Sequence, residues 1–516
     1  MASIVPALHN LNHYLSPSQS LFSKSTHQKS KILFLSKNPN SSPITFLKCS
    51  SSSSSCNPSS ILDELKQEEE RDGDLMLESS LSDVWKEIQG MNNWEGLLDP
   101  MNPNLRREII RYGELAQACY DSFDFDPHSK YCGTCKYHPA DFFEKVEMGE
   151  NTVSGYTITR YLYATSNINL PNFFHKSKLS TVWSPHANWM GYVAVATNLQ
   201  EIKRLGRRDI VIAWRGTVTY IEWIYDLKDI LRAANFKNDP TIKVESGFYD
   251  LYTKKEDSCG YCSFSAREQV LSEIMRLIQY YQDEQISITI TGHSLGAALA
   301  ILSAYDITEL KLNVVNNGND KINIPVTVYS FAGPRVGNLK FKERCEELGV
   351  KVLRVINIHD MVPTVPGILT NEKLKFQKYI EDNLSFPWSY AHVGTEIALD
   401  HRKSPFLKEN GDIGCAHNLE LLLHLMDGYH GKEKKFRLVS ERDIALVNKS
   451  CDFLRSEYGV PPHWRQDENK GMVRSGDGRW ILPERPRLEA HPPDTAHHLR
   501  LVLNNHVSPN LQSETN

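Results

Sequence analysis

Nothing in the 516 residues is an uninterrupted apolar run of the about 18–20 residues that a spanning helix needs, so any membrane contact is expected to be peripheral. Charge of one sign is also lacking. The 58 Lys and Arg stand against 63 Asp and Glu, a net of −5, which provides no basic field and excludes nucleic acid as an expected partner. Cysteine is sparse, ten in the whole chain, too few for a disulfide scaffold. Before Asp63 there is no Asp, no Glu and no Arg. Lys24, Lys29, Lys31, Lys37 and Lys48 lie there among many serines, ending in the run Ser50 to Ser55. The apolar patch Ile32 to Leu35 is too short for a secretory core. A basic, Ser-rich, acid-free leader reads as an organelle transit peptide, and the missing Arg points to a plastid over a mitochondrion. An ordinary disordered tail is the alternative.

Behind the leader (residues 1–60) comes a charged linker over 61–80, centred on DELKQEEERDGD. From Leu81 apolar and aromatic residues recur, and 81–470 is expected to hold the folded domain. The remainder, 471–516, is a Pro- and Arg-rich extension with a loose end. Leu105, Ile109, Ile110 and Leu115 share one helical face over 105–119. The middle of the chain alternates strand-like and helix-like segments, the pattern of an α/β fold with a mainly parallel sheet. Strands are expected at 209–214 (DIVIAW), 286–291 (ISITIT, ending at Gly292), 326–331 and 350–356. Helix 265–282 opens with Ser265 and Glu268 at capping-box spacing.

Between ISITIT and the Ala-rich segment Leu295 to Ala304 stands Gly292-His293-Ser294-Leu295-Gly296, a G-x-S-x-G nucleophile elbow. The chemistry asks for a serine on a sharp strand-to-helix turn, its hydroxyl clear of the sheet, with glycines where a side chain would collide. The bare pattern is common. The buried-type strand before it and the small-residue helix after it make it specific.

GHSLGAALA, the Arg215-Gly216-Thr217 after a strand, and FAGPRVGN at Phe331 to Asn338 together resemble the class 3, fungal-type lipases. The wider likeness, from about Trp85 to Leu501 and including AHNLELLLHLMDGYHG, resembles the plastid class I phospholipases A1 of plants. It implies an α/β-hydrolase fold with flanking helices and a lid. It also implies hydrolysis of an acyl ester, preferably at sn-1 of a glycerophospholipid, through a Ser–Asp–His triad and an acyl-enzyme, with no cofactor. Galactolipid or triacylglycerol is the alternative substrate, and a non-catalytic lipid-binding scaffold the alternative of another class.

Ser294 needs a base and the base an orienting acid, in the chain order Ser, acid, His. Asp360 follows the strand 350–356, where an orienting carboxylate belongs, and matches the family's acid. A loop-capping role is its alternative. Asp382, Asp400 and Asp412 lack a preceding strand. Among His392, His401, His417, His424 and His430, the resemblance selects His417, in a loop entering an apolar helix that contains His424. His392 is the runner-up, its plainer role being a core hydrogen bond.

The oxyanion donors are expected to be the backbone N–H of Leu295 and Thr217, since the family carries Ser or Thr after this strand. Val218 to Leu227 corresponds to the lid of related lipases, and Tyr220, Ile221, Trp223 and Ile224 give it an aromatic, apolar surface suited to lipid. Packing on the core is the alternative. Cys132, Cys135, Cys259 and Cys262 form two C-x-x-C pairs. A zinc site, local disulfides and free thiols all remain open for them, and no metal is expected. The expected partner is a membrane glycerolipid at a lipid–water interface.

Overall fold

The computed structural model describes residues 79–146, 155–167, 186–217, 231–234, 239–317, 320–366, 390–409, 411, 413–440 and 442–504, all within one unit, Leu77–Asn516. Outside them lie the leader, nearly all of the linker, the lid segment after Thr217 (with Tyr220, Ile221, Trp223 and Ile224), Asp382, Asp412 and the chain from 505 on.

A seven-stranded sheet carries the site. Its strands are β1 (Tyr156–Thr165), β2 (Ala187–Ala196), β3 (Arg208–Trp214), β4 (Ile286–His293), β5 (Val326–Phe331), β6 (Lys351–Asn357) and β7 (Thr395–Leu399). They lie side by side in chain order, antiparallel from β1 to β3 and parallel from β3 to β7. Helix α1 (Pro103–Asp121) extends the expected 105–119 at both ends, with Asn102 capping the Leu105 N–H at 3.1 Å and Pro103 in the first turn. Helix α2 (Ala266–Tyr280) has the full capping box of Ser265 and Glu268. Helix α3 (Leu295–Glu309) leaves the elbow, α4 (Leu419–Gly428) follows His417, and α5 (Thr495–Asn504) packs against α2. Among the described residues no helix is long and apolar enough to cross a membrane.

The strands explain the layering by their period of two. On β3, Val211 and Ala213 face α1 and α4, whereas Ile210, Ile212 and Trp214 face α2 and α3. On β4 the isoleucines Ile288 and Ile290 take the α2–α3 face and the hydroxyls take the α1 face. That polar stripe is satisfied. Thr291 donates to the Tyr112 carbonyl at 2.9 Å, and Ser287 and Thr289 each donate to Asp209 at 2.7 Å.

Asp209, fully buried on β3, also accepts from Tyr112 at 2.9 Å and Tyr156 at 2.7 Å. One carboxylate thus ties α1, β1, β3 and β4 together. Burial raises its pKa, but the nearby Arg207 and Arg111 with the Thr289 and Ser287 hydroxyls outweigh it and hold it below the ordinary value. Asp209→Asn should lower unfolding free energy by about 3–5 kcal/mol, because it leaves buried cations unmatched. The sign with pH comes from the lowered folded pKa. The contribution is full above about pH 4 and is lost as the pH falls further. Denaturant midpoints of the two proteins at pH 7 check this; equal midpoints would remove the network from the stability argument.

Candidate active site

Ser294 sits between the last residue of β4 and the first of α3, with φ 58° and ψ −125°. A left-handed φ in a residue with a Cβ stores about 1–3 kcal/mol and is kept only where the surroundings demand it. They do so here. The Ser294 N–H donates to the Phe331 carbonyl of β5 at 2.9 Å, while a Cβ on Gly292 would collide with the Gly296 backbone. A Cβ on Gly296 would strike the Trp214 carbonyl at the end of β3. Both glycines are needed for close approach, as the motif predicts. The Ser294 side chain is buried, and its Oγ makes no hydrogen bond among the described residues.

His417 comes to the same place from the other side. It follows a short helical turn, Ile413–Ala416, and stands just before Asn418, whose side chain caps the Leu421 N–H of α4. Its Nδ1 lies 2.6 Å from Oδ2 of Asp360, both side chains being almost wholly buried. Asp360 follows β6, and its Oδ1 accepts the Val362 N–H at 2.9 Å. The structure therefore joins Asp360 to His417.

Two further groups hold this arrangement, and the sequence marks neither for that role. His293 has its Nε2 2.7 Å from the His417 carbonyl and its Nδ1 2.7 Å from the Tyr120 hydroxyl of α1. Burial, then the neighbouring His417, pushes its pKa well below the usual histidine value, so the ring is neutral. Asn357 donates to the Ala416 carbonyl at 3.0 Å. The backbone on which the His417 ring turns is thus held at two consecutive residues. A motif position written as x gives no sign of such a contact.

Thr217 follows β3, which pairs with β4 so that Trp214 stands beside Gly292. The loop is held to β2 by Arg215, whose Nε donates to the Trp189 carbonyl at 3.0 Å and whose Nη1 donates to the Gly216 carbonyl of the loop itself at 2.8 Å. A Cβ on Gly216 would meet the Tyr120 hydroxyl and the His293 carbonyl. Leu295 is the first residue of α3, where the positive end of the helix and first-turn N–H groups face outward along the axis. Thr217, Ser294 and Asp360 all stand at the C-terminal ends of parallel strands, where open α/β sheets place their ligands.

The competing side chains are engaged elsewhere. His392 has its Nε2 2.7 Å from the Pro363 carbonyl, the plainer of the two roles expected for it. His424 meets the Ser404 hydroxyl at 2.9 Å, and His430 the Arg437 carbonyl at 2.8 Å. One expectation needs correcting. Asp400 does follow a strand, β7, whose alternation of exposed Glu396 and Ala398 with buried Ile397 and Leu399 hides it from a search for apolar runs. Its carboxylate lies 2.9 Å from His359 Nε2.

The thiols of the two C-x-x-C pairs are buried; burial raises the Cys132 pKa to about 12 and pushes that of Cys135 above its ordinary value. Among the described residues the four sulfurs do not gather into a metal-binding set; the group with that spacing is His359, Asp400 and His401.

A cavity of about 490 Å³ has Thr217, His293 and His417 in its lining. Residues 211–370, which contain Thr217, Ser294 and Asp360, match the family described as lipase (class 3). The chain is 73% identical over 433 residues to Phospholipase A1-Igamma3, chloroplastic, of Arabidopsis thaliana, covering 82% of this chain and 81% of that one. It is 57% identical over 446 residues to Phospholipase A1-Igamma2, chloroplastic, of the same plant, covering 84% and 83%. The crystal structure of a lipase from Rhizopus microsporus var. chinensis aligns at 19% identity and a TM-score of 0.35, covering 58% of this chain and 76% of that one. The family match around the elbow and the identity to the two plant proteins settle the assignment: the chain belongs to the class 3 lipase family, in its branch of plastid class I phospholipases A1 of plants.

Proposed function

We propose that this chain is a phospholipase A1 that releases the sn-1 fatty acid of glycerophospholipids, with Ser294 as nucleophile, His417 as base and Asp360 as orienting acid. The observation that carries it is the Asp360–His417 pair at 2.6 Å, placed with the Ser294 elbow at the ends of parallel strands. Asp360 accepts the hydrogen bond of the Nδ1 proton, which leaves Nε2 to receive the proton of Ser294. The Ser294 oxygen attacks the sn-1 carbonyl, and the charge that develops falls on the N–H of Leu295 and on Thr217. Each such donor is worth about 10²–10³ in turnover. His417 then protonates the departing glycerol oxygen, and the lysophospholipid leaves. Water, deprotonated by the same nitrogen, attacks the acyl-enzyme and frees the fatty acid and Ser294. Tyr220, Ile221, Trp223 and Ile224, read in the sequence as a lid, would meet the lipid surface.

The chain is a plastid ester hydrolase, in keeping with its acid-free leader and with the names of its Arabidopsis relatives. The test uses the purified chain on phosphatidylcholine with different acyl groups at sn-1 and sn-2, on monogalactosyldiacylglycerol and on triacylglycerol. The sn-1 acid of phosphatidylcholine should appear first, at a rate that rises once the lipid aggregates. A chain that frees no acid from any of the three would overturn the phospholipase reading. Preference for either of the other lipids would move the substrate and keep the triad.

A further inference from the structure

The cavity lined by His417 also has a charged lining. Three cations, Lys136, Lys449 and Arg465, line it with two carboxylates, Asp121 and Asp467. Lys449 Nζ lies 2.6 Å from Asp121 and 3.4 Å from Glu420, so it is anchored from both sides and only 10% exposed. Arg465 pairs with the same Asp121, and Lys136 donates to Asp467 at 2.8 Å. Apart from Asp121 on α1, these residues come from the loop after α1 and from the chain beyond α4. All five fall outside residues 211–370, which match the family as a whole.

Ester cleavage asks nothing of such a wall, because the reacting atoms are the same in a triacylglycerol and a phospholipid. The third substituent of the glycerol differs. An acyl chain laid against ion-paired charges would strip them of water and return no hydrogen bond. A phosphate returns charge-assisted bonds, and a guanidinium has five donors, more than Asp121 alone can accept. Asp467, half exposed, has the sign to face an ammonium.

Resting on the phospholipase reading above, we propose that this charged lining is the headgroup subsite, with Arg465 and Lys136 binding the phosphate of a zwitterionic glycerophospholipid and Asp467 facing its ammonium group. Arg465 and Lys136 are then specificity-determining residues, and the subsite selects phospholipid over neutral glycerolipid without touching the reacting ester.

The test compares the wild-type chain with the double variant Lys136→Gln/Arg465→Gln and with Arg465→Lys. Substrates are phosphatidylcholine micelles, monogalactosyldiacylglycerol and p-nitrophenyl butyrate, with thermal melts alongside. The ratio of phosphatidylcholine to butyrate kcat/KM should fall about 10- to 100-fold in the double variant, the range for charge-assisted hydrogen bonds. Arg465→Lys should recover part of it, and the galactolipid-to-butyrate ratio should stay within a few-fold. An unchanged phosphatidylcholine ratio overturns the subsite, as does an equal loss on all three substrates. A selective loss on galactolipid overturns the phosphate in favour of a sugar. A wild-type chain that cleaves butyrate but no glycerolipid fails earlier, on the phospholipase reading, and is told apart by that control.

Discussion

Ser294→Ala is expected to reduce fatty-acid release by about 10⁴- to 10⁶-fold while the melting temperature stays within about a degree of wild type. The size reflects the loss of the nucleophile from a unit whose members act together. The indifference of the fold is a matter of geometry. The Oγ makes no hydrogen bond among the described residues, and Ala keeps the Cβ that already fits the turn. Ser294→Gly separates the two properties. It should be equally inactive, yet more stable than the Ala variant by about 1 kcal/mol, because a φ of 58° strains any residue with a Cβ and not glycine. Fatty-acid titration and calorimetry on the three proteins suffice. Activity of the Ala variant within tenfold of wild type would sink the triad, and a Gly variant no more stable than Ala would mean that the turn is unstrained.

Ser294 was legible because its requirements are local: a strand, a tight turn, a helix and two glycines within five residues. Asp360 was legible for a related reason, since the apolar run before it marks β6 and the turn after it marks the sheet's C-terminal edge. The proposed base was different. Five histidines lie between Asp360 and Arg437, and nothing in their spacing tells which of them the fold returns to β4. The family likeness selects His417, whose Nδ1 lies 2.6 Å from Asp360. Long-range polar contacts were not legible at all. Asp209 sits inside an apolar strand pattern and reads as a strand boundary, yet it accepts hydrogen bonds from residues 97 positions before it and 80 after it. β7 was missed because an edge strand half open to water has no apolar run to find, and the missing strand then misplaced Asp400. The ion pairs in the cavity lining combine α1 with residues more than 300 positions later, a meeting that no local pattern encodes.

Asp360→Asn should lower turnover by about 10⁴-fold with the fold intact, and the reason lies in the second oxygen. Oδ1 of Asp360 accepts the Val362 N–H at 2.9 Å, so an asparagine must keep its carbonyl oxygen there; the amide nitrogen would set donor against donor. Its NH₂ is then forced to face Nδ1 of His417 and donates to it. The imidazole proton moves to Nε2, and the nitrogen that should accept the Ser294 proton becomes a donor. A serine protease with the corresponding change loses about this much. Asp400→Asn is the matched control, because Asp400 follows the neighbouring strand and bonds His359 instead of His417. It should keep activity within a few-fold, and so should His392→Ala, whose Nε2 is turned to the Pro363 carbonyl and not to the elbow. Single-turnover acylation with a short ester isolates the step. Equal loss in Asp360→Asn and Asp400→Asn would show that the β6–β7 edge acts through packing, and a dead His392→Ala beside an active His417→Ala would reassign the base.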